Sequence, residues 1–339
     1  MILVKFHVHL IGQKKISFKI KQKMNKKHYL VTGGLGFIGT NLVKRLQKNY
    51  KITIIDNSCS HNIKYLSFNK NVRIFKKNIT KNSFSLKKYG KIDAVIHLAA
   101  YGSVVDSVSN PKLNFKNNVI STLNILEECK KNNINKIIFS STGGALMGDT
   151  PPPINEKTLP NPISPYGASK LACEGYCSAY SSSYGINVII LRFSNIIGPY
   201  SWHKKGVVTK FIKSILSDKK LSIYGPLNSS RDYLFIDDLC YGIEKALKSK
   251  ITGCEKIHIS SGKEITIEKL YKELIKISKA KNIKILRKSK RTGEVINNFS
   301  KNYKAKKILK FKVKNNLNTS LRKTWKWFQK NKKNNVKNK

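Results

Sequence analysis

A glycine-rich turn between a buried strand and an amphipathic helix constrains the fold of this chain more than any other segment. The apolar run 28–32 leads directly into residues 33–39, which read Gly-Gly-Leu-Gly-Phe-Ile-Gly. Apolar residues then recur at helical spacing up to Leu46. Glycines let such a turn approach a pyrophosphate closely, and the N–H groups at the helix N-terminus attract its charge. The segment therefore predicts the first strand–turn–helix unit of a dinucleotide-binding fold.

An acidic residue follows the next predicted strand at a spacing that fits a ribose. The apolar run 52–55 ends at Asp56, seventeen residues after Gly39. A carboxylate at this place can accept hydrogen bonds from the adenosine ribose, and it would repel a 2′-phosphate. The sequence therefore predicts NAD rather than NADP as the cofactor.

Strands and helices continue to alternate along the first half of the chain. Strands are predicted at 72–75, 94–98 and 136–140, and a helix at 121–131. Alternation at this spacing is typical of a parallel sheet that carries helices on both faces. We expect an α/β fold with a doubly wound, Rossmann-type parallel sheet.

The chain is strongly basic, with 66 Lys and Arg against 18 Asp and Glu and a formal net charge of +48. Only seven of the basic residues are arginine, and the lysines are spread from end to end. Proteins that read nucleic acid rely on arginine and gather their charge on one face. We therefore attribute the charge to a general enrichment in lysine and expect no specific nucleic-acid partner.

Other compositional signals exclude further classes of protein. The chain contains no uncharged apolar run of about 18 residues, so no membrane partner or membrane-spanning helix is predicted. Its six cysteines form no Cys-x-x-Cys pair and no cluster with the spacing of a zinc site. We expect a cytoplasmic protein without a metal site.

Hydroxyl groups and a Tyr-x-x-x-Lys pair form a candidate catalytic site. The predicted strand at 136–140 runs into Ser141 and Thr142, at the edge where ligands bind in open α/β sheets. Tyr166 and Lys170 lie four residues apart on a predicted helix and so share one face. An ammonium beside a phenol stabilises the phenolate and lowers its pKa. We predict Tyr166 as the base, Lys170 as the residue that tunes it, and Thr142 as the hydroxyl that holds the substrate oxygen.

These segments together resemble a known family. From residue 28 to about 310 the chain is similar to extended short-chain dehydrogenases/reductases of the NAD-dependent epimerase/dehydratase family, and most similar to UDP-glucose 4-epimerases. The segments that carry the resemblance are TGGLGFIG (32–39), Asp56-Asn57, HLAA (97–100), Asn118, SSTGGALMG (140–148), SPYGASK (164–170), LRFSNIIGP (191–199), SIYG (222–225), RDYLFIDDL (231–239) and RTGE (291–294).

The resemblance implies roles for a larger set of residues. It implies NAD binding by Gly33, Gly36, Phe37, Ile38, Gly39, Asp56, Asn57, Asn78, Ile79, Leu98, Ala99, Ala100, Asn118, Tyr166 and Lys170. It implies UDP-sugar binding by Thr142, Asn195, Tyr224, Arg231 and Arg291. Asn78 departs from the aspartate that usually binds adenine, although its carbonyl oxygen can still accept a hydrogen bond from an amine. His97 is expected to be a structural core histidine.

The residues after Thr142 favour one reaction of this family. Dehydratases carry Asp-Glu directly after the hydroxyl residue, whereas Gly143 and Gly144 stand here. The resemblance therefore implies a 4-epimerase that interconverts UDP-glucose and UDP-galactose through a 4-keto sugar, with the glycines giving the sugar room to turn over. Asn298 stands where a bulky tyrosine restricts some epimerases, so the N-acetyl sugars stay open as substrates. The alternatives are another UDP-sugar epimerase, such as a UDP-glucuronate 4-epimerase, and a non-catalytic NAD-binding protein.

The resemblance also implies the organisation of the chain. We predict an NAD-binding Rossmann domain over 24–195, rejoined by 232–247, and a smaller α/β C-terminal substrate-binding lobe made from 196–231 and 248–328. Residues 1–23 are predicted to be an N-terminal extension, and 329–339 a disordered basic tail. A homodimer that associates through the helices near 121–131 and 168–184 is a further expectation.

Overall fold

The structure is a computed structural model that describes residues 4–6, 18–20, 26–57, 62–66 and 70–336. The strands are β1 (Val4–Phe6), β2 (Phe18–Ile20), β3 (His28–Thr32), β4 (Lys51–Asp56), β5 (Val72–Lys76), β6 (Ala94–His97), β7 (Lys136–Thr142), β8 (Asn187–Phe193), β9 (Asn195–Ile197), β10 (Leu221–Tyr224), β11 (Ser230–Arg231), β12 (Tyr233–Phe235), β13 (Cys254–Ile259), β14 (Ile265–Thr266), β15 (Ile285–Lys288) and β16 (Asn297–Asn298). The α-helices are α1 (Phe37–Leu46), α2 (Val104–Ser109), α3 (Pro111–Phe115), α4 (Ser121–Lys131), α5 (Gly144–Met147), α6 (Pro165–Tyr184), α7 (Val207–Leu216), α8 (Ile236–Lys248), α9 (Ile267–Ser278), α10 (Tyr303–Leu309) and α11 (Leu317–Val336).

Seven of the described strands form one parallel sheet in the order β13-β8-β7-β6-β3-β4-β5. Strand β3 lies between β4 and β6, with Val31 opposite both Ile54 and Ile96. The chain builds the sheet outward from β3 in one direction and then from β6 in the other, so the topological switch point lies between β3 and β6. This arrangement confirms the predicted Rossmann-type fold, and it brings the carboxyl ends of β3, β6 and β7 to one edge.

Apolar side chains fill both faces of this sheet. On one face, buried residues such as Leu30 and Phe139 pack with residues of α4 and α6. On the other face, Val31 and Ile138 pack with residues of α1 and α8. Because both faces are buried, the strands read as nearly continuous apolar runs rather than as alternating patterns.

The short strands outside the central sheet connect two distant parts of the sequence. Strand β9 pairs with β12, β10 pairs with β15, and β11 lies between β14 and β16. Arg231 in β11 stands opposite Asn298 in β16. The pairings of β10 with β15 and of β11 with β16 therefore bring the segment 221–231 beside the segment 285–298, both of which belong to the predicted substrate-binding lobe.

The predicted boundary at residue 248 is wrong, because the following strand belongs to the central sheet. Strand β13 pairs in parallel with β8, with Cys254 opposite Val188 and Ile259 opposite Phe193. Ile257 and Ile259 are fully buried. These apolar side chains extend the core of the dinucleotide domain, so residues 254–259 are part of that domain rather than of the 248–328 lobe.

The predicted disordered tail is also wrong for residues 329–336, which continue α11. The first part of this helix is anchored by Leu321, Trp325 and Phe328, whose exposed fractions are 0%, 6% and 0%. A packed helix extends easily into a polar segment, because each further residue adds one hydrogen bond without a new nucleation step. Lys and Asn after Phe328 are therefore helical despite their polarity. Residues 337–339 lie outside the described part of the chain.

The predicted N-terminal extension lies mostly outside the described residues. Within it, β1 and β2 pair with each other as antiparallel strands, Lys5 opposite Lys19. Within the described part of the chain, no helix combines the length and the apolar character needed to cross a membrane.

Candidate active site

The glycine-rich turn between β3 and α1 has the geometry of a phosphate cradle. Gly33 has a φ of +67°, and a Cβ placed on it would lie 2.7 Å from the backbone nitrogen of Ala99. A Cβ on Gly39 would lie 2.3 Å from the carbonyl oxygen of Gly33. Helix α1 starts after Gly36, which provides no side-chain cap. The N–H groups of its first turn lack partners within the helix and are therefore suited to bind an anion.

Asp56 lies directly beside this turn. It ends β4, the neighbour of β3, and its Oδ2 accepts a 3.0 Å hydrogen bond from the N–H of Leu35. The carboxylate thus holds the shape of the turn as well as lying where the ribose contact is predicted. Asn57 follows it and is exposed.

Asn118 ties the loop after β6 to helix α6. Its Oδ1 accepts a 2.7 Å hydrogen bond from the N–H of Tyr101, and its Nδ2 donates a 2.9 Å bond to Ser169 Oγ. The loop it holds begins with Leu98, Ala99 and Ala100, the predicted nicotinamide neighbours. Asn118 itself is buried, so its amide is used to fix the wall of the site.

Asn78 uses its side chain locally. Its Oδ1 accepts 2.9 Å hydrogen bonds from both the N–H and the hydroxyl of Thr80. The Asn78 Oδ1 atom, which was predicted to accept a hydrogen bond from adenine, is therefore already bonded within the turn 78–80. Ile79 and Thr80 in this turn are buried. The contact of Asn78 with adenine stays a prediction.

The candidate catalytic side chains meet where α6 crosses the end of β7. Helix α6 begins at Pro165 after Ser164, whose Oγ accepts a 3.2 Å hydrogen bond from the N–H of Gly167. The Thr142 hydroxyl lies beside the Tyr166 phenol, close enough for a hydrogen bond that lowers the pKa of Tyr166. Lys170 Nζ donates a 2.8 Å bond to the carbonyl oxygen of Ser140. The structure therefore brings Thr142, Tyr166 and Lys170 together at the carboxyl edge of the sheet.

Burial sets the pKa values of this group. Burial raises the pKa of Tyr166 to about 12, and the neighbouring Cys173 adds to the rise, while the hydrogen bond with Thr142 opposes it. Burial lowers the pKa of Lys170, and the nearby Glu174 and cysteines oppose that change. The expected lowering of the Tyr166 pKa by Lys170 is therefore not found. Burial dominates the pKa of Tyr166, and the Lys170 ammonium is directed at the Ser140 carbonyl.

His97 is a buried, neutral residue of the core. One ring nitrogen lies 2.6 Å from Thr32 Oγ1 and the other 3.1 Å from Thr122 Oγ1. Burial, aided by the charge of Lys170, lowers the pKa of His97 to about 3. With both nitrogens bonded to hydroxyls, the ring fits the structural role expected from the sequence.

Tyr224 and Arg291 form a stacked pair at the end of β10. The Arg291 Cζ lies 3.5 Å from the centroid of the Tyr224 ring, and its Nη1 lies 3.3 Å from Glu294 Oε1. A hydrogen bond from Arg291 is the main cause that lowers the pKa of Tyr224. The aromatic and the cationic residue that were predicted to contact the nucleotide therefore also contact each other.

Arg231 serves the neighbouring backbone. Its Nη1 donates to the carbonyl oxygens of Ser230 and Ile296 at 2.8 and 2.6 Å, and its Nη2 donates to that of Val295. Burial lowers the pKa of this guanidinium. Asn195 begins β9 and is exposed. The contact of each of these residues with a phosphate stays a prediction.

The two glycines after Thr142 are packed against polar side chains. A Cβ on Gly143 would lie 3.2 Å from His258 Nδ1 and 3.2 Å from Ser300 Oγ, and a Cβ on Gly144 would lie 3.2 Å from Asn298 Oδ1. The side that the missing Cβ atoms leave open is thus occupied by protein. The interpretation that these glycines make room for a turning sugar is not supported on that side.

Sequence reasoning missed a buried network behind Thr142. Ser141, Glu174 and Arg192 are joined by hydrogen bonds, and each is at least 96% buried, with exposed fractions of 4%, 2% and 1%. The spacing of Glu174, four residues after Lys170 on one helix, was the signal that could have revealed it. His258, fully buried beside Arg192 in the neighbouring strand, was also missed.

Sequence comparison agrees with this fold. Residues 29–260 match the model of the NAD dependent epimerase/dehydratase family, and the chain belongs to that family. The cofactor is NAD, and the uncapped start of α1 and the closely packed Gly33 and Gly39 fit its pyrophosphate.

Three solved structures are similar to this chain. The UDP-N-acetylglucosamine 4-epimerase of Methanobrevibacter ruminantium M1, in complex with UDP-N-acetylmuramic acid, is 33% identical with a TM-score of 0.84, over 91% of this chain and 99% of that chain. The UDP-glucose 4-epimerase of Thermotoga maritima, with UDP-glucose, is 32% identical with a TM-score of 0.84, over 89% and 99%. The UDP-glucuronic acid 4-epimerase of Bacillus cereus, with UDP-glucuronic acid and NAD, is 30% identical with a TM-score of 0.83, over 89% and 99%.

Proposed function

We propose that this chain is an NAD-dependent UDP-sugar 4-epimerase that interconverts UDP-glucose and UDP-galactose through a 4-keto sugar. The observation that carries the proposal is the placement of the Thr142 hydroxyl beside the Tyr166 phenol at the sheet edge, with two glycines instead of carboxylates directly after Thr142. Elimination of water from the sugar needs an additional acid and base, which the family's dehydratases carry at these two positions. Similarity to the UDP-glucose 4-epimerase of T. maritima supports the same reaction.

Tyr166 is the proposed proton acceptor for the C4 hydroxyl of the sugar. Its phenolate takes the proton as C4 is oxidised and returns it to the oxygen after C4 is reduced from the other face. The chemistry supplied by bound NAD is reversible acceptance of hydride from C4. Thr142 donates to the same oxygens and so aligns the sugar hydroxyl with the phenol. Lys170 lies on the same face of α6 and is held by the carbonyl oxygen of Ser140, two residues before Thr142.

A direct assay with a matched variant tests this proposal. UDP-galactose is incubated with the protein and NAD, and UDP-glucose is measured by a coupled dehydrogenase. We expect turnover by the wild-type protein and a loss of about 10³-fold or more in Tyr166→Phe, which keeps the ring and loses only the hydroxyl. Activity that survives in Tyr166→Phe would contradict the mechanism, and no turnover of any UDP-sugar by the wild type would contradict the function.

The N-acetyl sugars are proposed as second substrates because of Asn298. This side chain is 3% exposed and lies against Gly144, and its Nδ2 has no hydrogen-bond partner among the described residues. A small amide with an unmatched donor beside the catalytic loop suits an acetamido carbonyl better than a bulky phenol would. We expect comparable turnover of UDP-galactose and UDP-N-acetylgalactosamine. Asn298→Tyr should remove only the second activity, and equal loss of both would contradict this assignment.

A second candidate function is UDP-glucuronate 4-epimerisation, which needs a cation near the C6 carboxylate. Lys204 Nζ lies 4.0 Å from a Cβ placed on Gly102, in the loop that follows Ala99 and Ala100. The residue as a whole is exposed, although desolvation around its ammonium lowers the pKa of Lys204. If this candidate is correct, the wild type turns over UDP-glucuronate and Lys204→Met loses that activity while keeping any activity on UDP-glucose. A wild type that does not turn over UDP-glucuronate would contradict this candidate function.

The homodimer and the cytoplasmic location stay proposals. Phe115 in α3 and Tyr176 in α6 are large apolar side chains with exposed fractions of 52% and 41%, on helices that pack against each other. Exposed apolar side chains on one surface suit a subunit interface. Sedimentation equilibrium should give a dimer for the wild type and a monomer for Phe115→Lys combined with Tyr176→Lys.

A further inference from the structure

One buried carboxylate joins three elements of the structure. Oε1 of Glu174 in α6 accepts a 2.6 Å hydrogen bond from Ser141 Oγ in β7 and a 3.0 Å bond from Arg192 Nε in β8. Oε2 of Glu174 accepts a 2.7 Å bond from Arg192 Nη2. The pair of bonds with Arg192 is bidentate, so the plane of the carboxylate is fixed as well as its position.

Stability alone is a poor reason for such a pair. Desolvation of two charges offsets most of their attraction, and apolar residues of similar volume often stabilise a protein as well or better. What the pair provides is a defined geometry, because a carboxylate held on two sides has one orientation. Ser141 also stands opposite Arg192 in the sheet register, so β7 and β8 present their side chains to Glu174 together.

The network lies between the two elements that carry the proposed catalytic residues. Glu174 is four residues after Lys170 and eight after Tyr166, so it lies on the same side of α6. Ser141 directly precedes Thr142. The Ser141–Glu174 bond therefore joins the helix that carries Tyr166 to the strand that carries Thr142.

We propose that Glu174, held by Arg192, is a positioning residue that fixes Thr142 against Tyr166 through Ser141. The inference rests on the proposed function, because it gives the network a role in proton transfer at Tyr166. It extends that function to side chains that lie behind the site and do not face the substrate. Glu174 has a second effect, since its charge favours the charged form of Lys170 against the cost of burial.

Ser141→Ala tests this role with little disturbance of the fold, because it leaves the Glu174–Arg192 ion pair intact. The matched control is Thr53→Val, which removes a buried hydroxyl from the same sheet, where Thr53 Oγ1 lies 2.8 Å from His28 Nε2, away from the site. We expect Ser141→Ala to lower kcat about tenfold with KM changed by less than about twofold, as for a displaced catalytic group. Thr53→Val should leave both constants unchanged.

The pH profile separates positioning from general damage to the fold. The Thr142 hydrogen bond lowers the pKa of Tyr166, so a Thr142 that is no longer fixed lets that pKa rise. The rising limb of kcat against pH should therefore shift to higher pH in Ser141→Ala and stay in place in Thr53→Val. A Ser141→Ala enzyme with an unshifted profile and an unchanged kcat would overturn the proposal.

Crystal structures of the NAD-bound wild type and Ser141→Ala decide the same question without turnover. The positioning role predicts that the hydrogen bond between Thr142 and Tyr166 lengthens or is lost in the variant. A bond that is unchanged rejects the role, whatever the substrate is. A wild type that turns over no UDP-sugar contradicts the proposed function, and the two crystal structures still test the positioning role.

Discussion

The guanidinium of Arg291 lies over the ring of Tyr224, with its Cζ 3.5 Å from the ring centroid, although the two residues are distant in sequence. The parallel pairing of β10 with β15 brings them together, since Tyr224 ends one strand and Arg291 follows the other. A stacked, planar cation keeps its donors in one orientation. Arg291 is therefore the arginine best prepared to bind the phosphates or uracil of the proposed substrate.

Arg291→Lys should weaken substrate binding more than it slows the chemical step. Lysine keeps the charge and loses both the stacking on Tyr224 and the two-pronged donor geometry. We expect KM for the UDP-sugar to rise about tenfold, with kcat within about twofold, because a bidentate contact remote from C4 acts on binding. Steady-state kinetics measure this. A variant that loses kcat and keeps KM would show that Arg291 acts on the reacting centre instead.

Two glycines of α6 form a matched pair for testing how closely the helix approaches the catalytic loop. A Cβ on Gly167 would lie 2.1 Å from the carbonyl oxygen of Ala145, whereas a Cβ on Gly175 would meet nothing within 4 Å. Gly175→Ala should therefore stabilise the protein by about 0.5–1 kcal/mol through helix propensity. Gly167→Ala should destabilise it and lower kcat, because the start of α6 carries Tyr166.

Thermal unfolding and the epimerase assay measure both changes. The change in the free energy of unfolding should have opposite signs in the two variants. If Gly167→Ala is as stable and as active as the wild type, α6 does not need its close contact with Ala145.

The buried histidines predict loss of stability in mild acid. Burial lowers the pKa values of His97 and His258 from 6.5 to about 3. Because the folded-state pKa lies below the unfolded value, the stabilisation is complete above about pH 6.5 and is lost as the pH falls toward 3. Each histidine contributes a slope of about 1.4 kcal/mol per pH unit within that range.

Urea unfolding between pH 7 and pH 4.5 checks the histidine effect. His258→Gln should reduce the dependence of the unfolding free energy on pH by about the contribution of one histidine. The comparison with the wild type cancels the contribution of the carboxylates. Equal slopes in the two proteins would mean that His258 is protonated in the folded state.

Because the pKa of Tyr166 is raised, activity is expected to rise with pH. Its pKa is raised to about 12, and the phenolate is the required base, so kcat should increase with pH through the neutral and alkaline range. Thr142→Val removes the hydrogen bond that opposes the rise in the pKa of Tyr166. The part of the kcat profile that rises with pH should therefore move to still higher pH. Thr142→Ser retains a hydroxyl and serves as the control. A kcat that falls with increasing pH would assign Tyr166 a different role.

Much of the fold could be predicted from the sequence, because the turns and strands of a dinucleotide-binding fold are determined by short local segments. The glycine turn and the apolar strands depend on neighbours along the chain, so β3, α1 and β7 were predicted close to their observed positions. Strand β13 was not, because its charged residues Glu255 and Lys256 interrupt the apolar run, and only pairing with β8 defines it as a strand of the central sheet. The helical end of α11 likewise depends on the packing of Trp325 and Phe328.

The candidate site was predictable in composition and less so in conformation. The spacing of Tyr166 and Lys170 and the position of Thr142 follow from helix and strand geometry. The direction in which a long side chain points does not follow from that geometry. Lys170 is bonded to the Ser140 carbonyl and Arg231 to three backbone carbonyls, which only the packed structure determines.

The assignment of Tyr166 as the base is tested most directly by the conversion of UDP-galactose by the wild type and by Tyr166→Phe, followed by ¹H NMR of the anomeric protons. We expect a mixture of UDP-galactose and UDP-glucose with the wild type and unchanged UDP-galactose with the variant over the same time. A variant that reaches the same mixture at a similar rate would contradict the assignment of Tyr166 as the base.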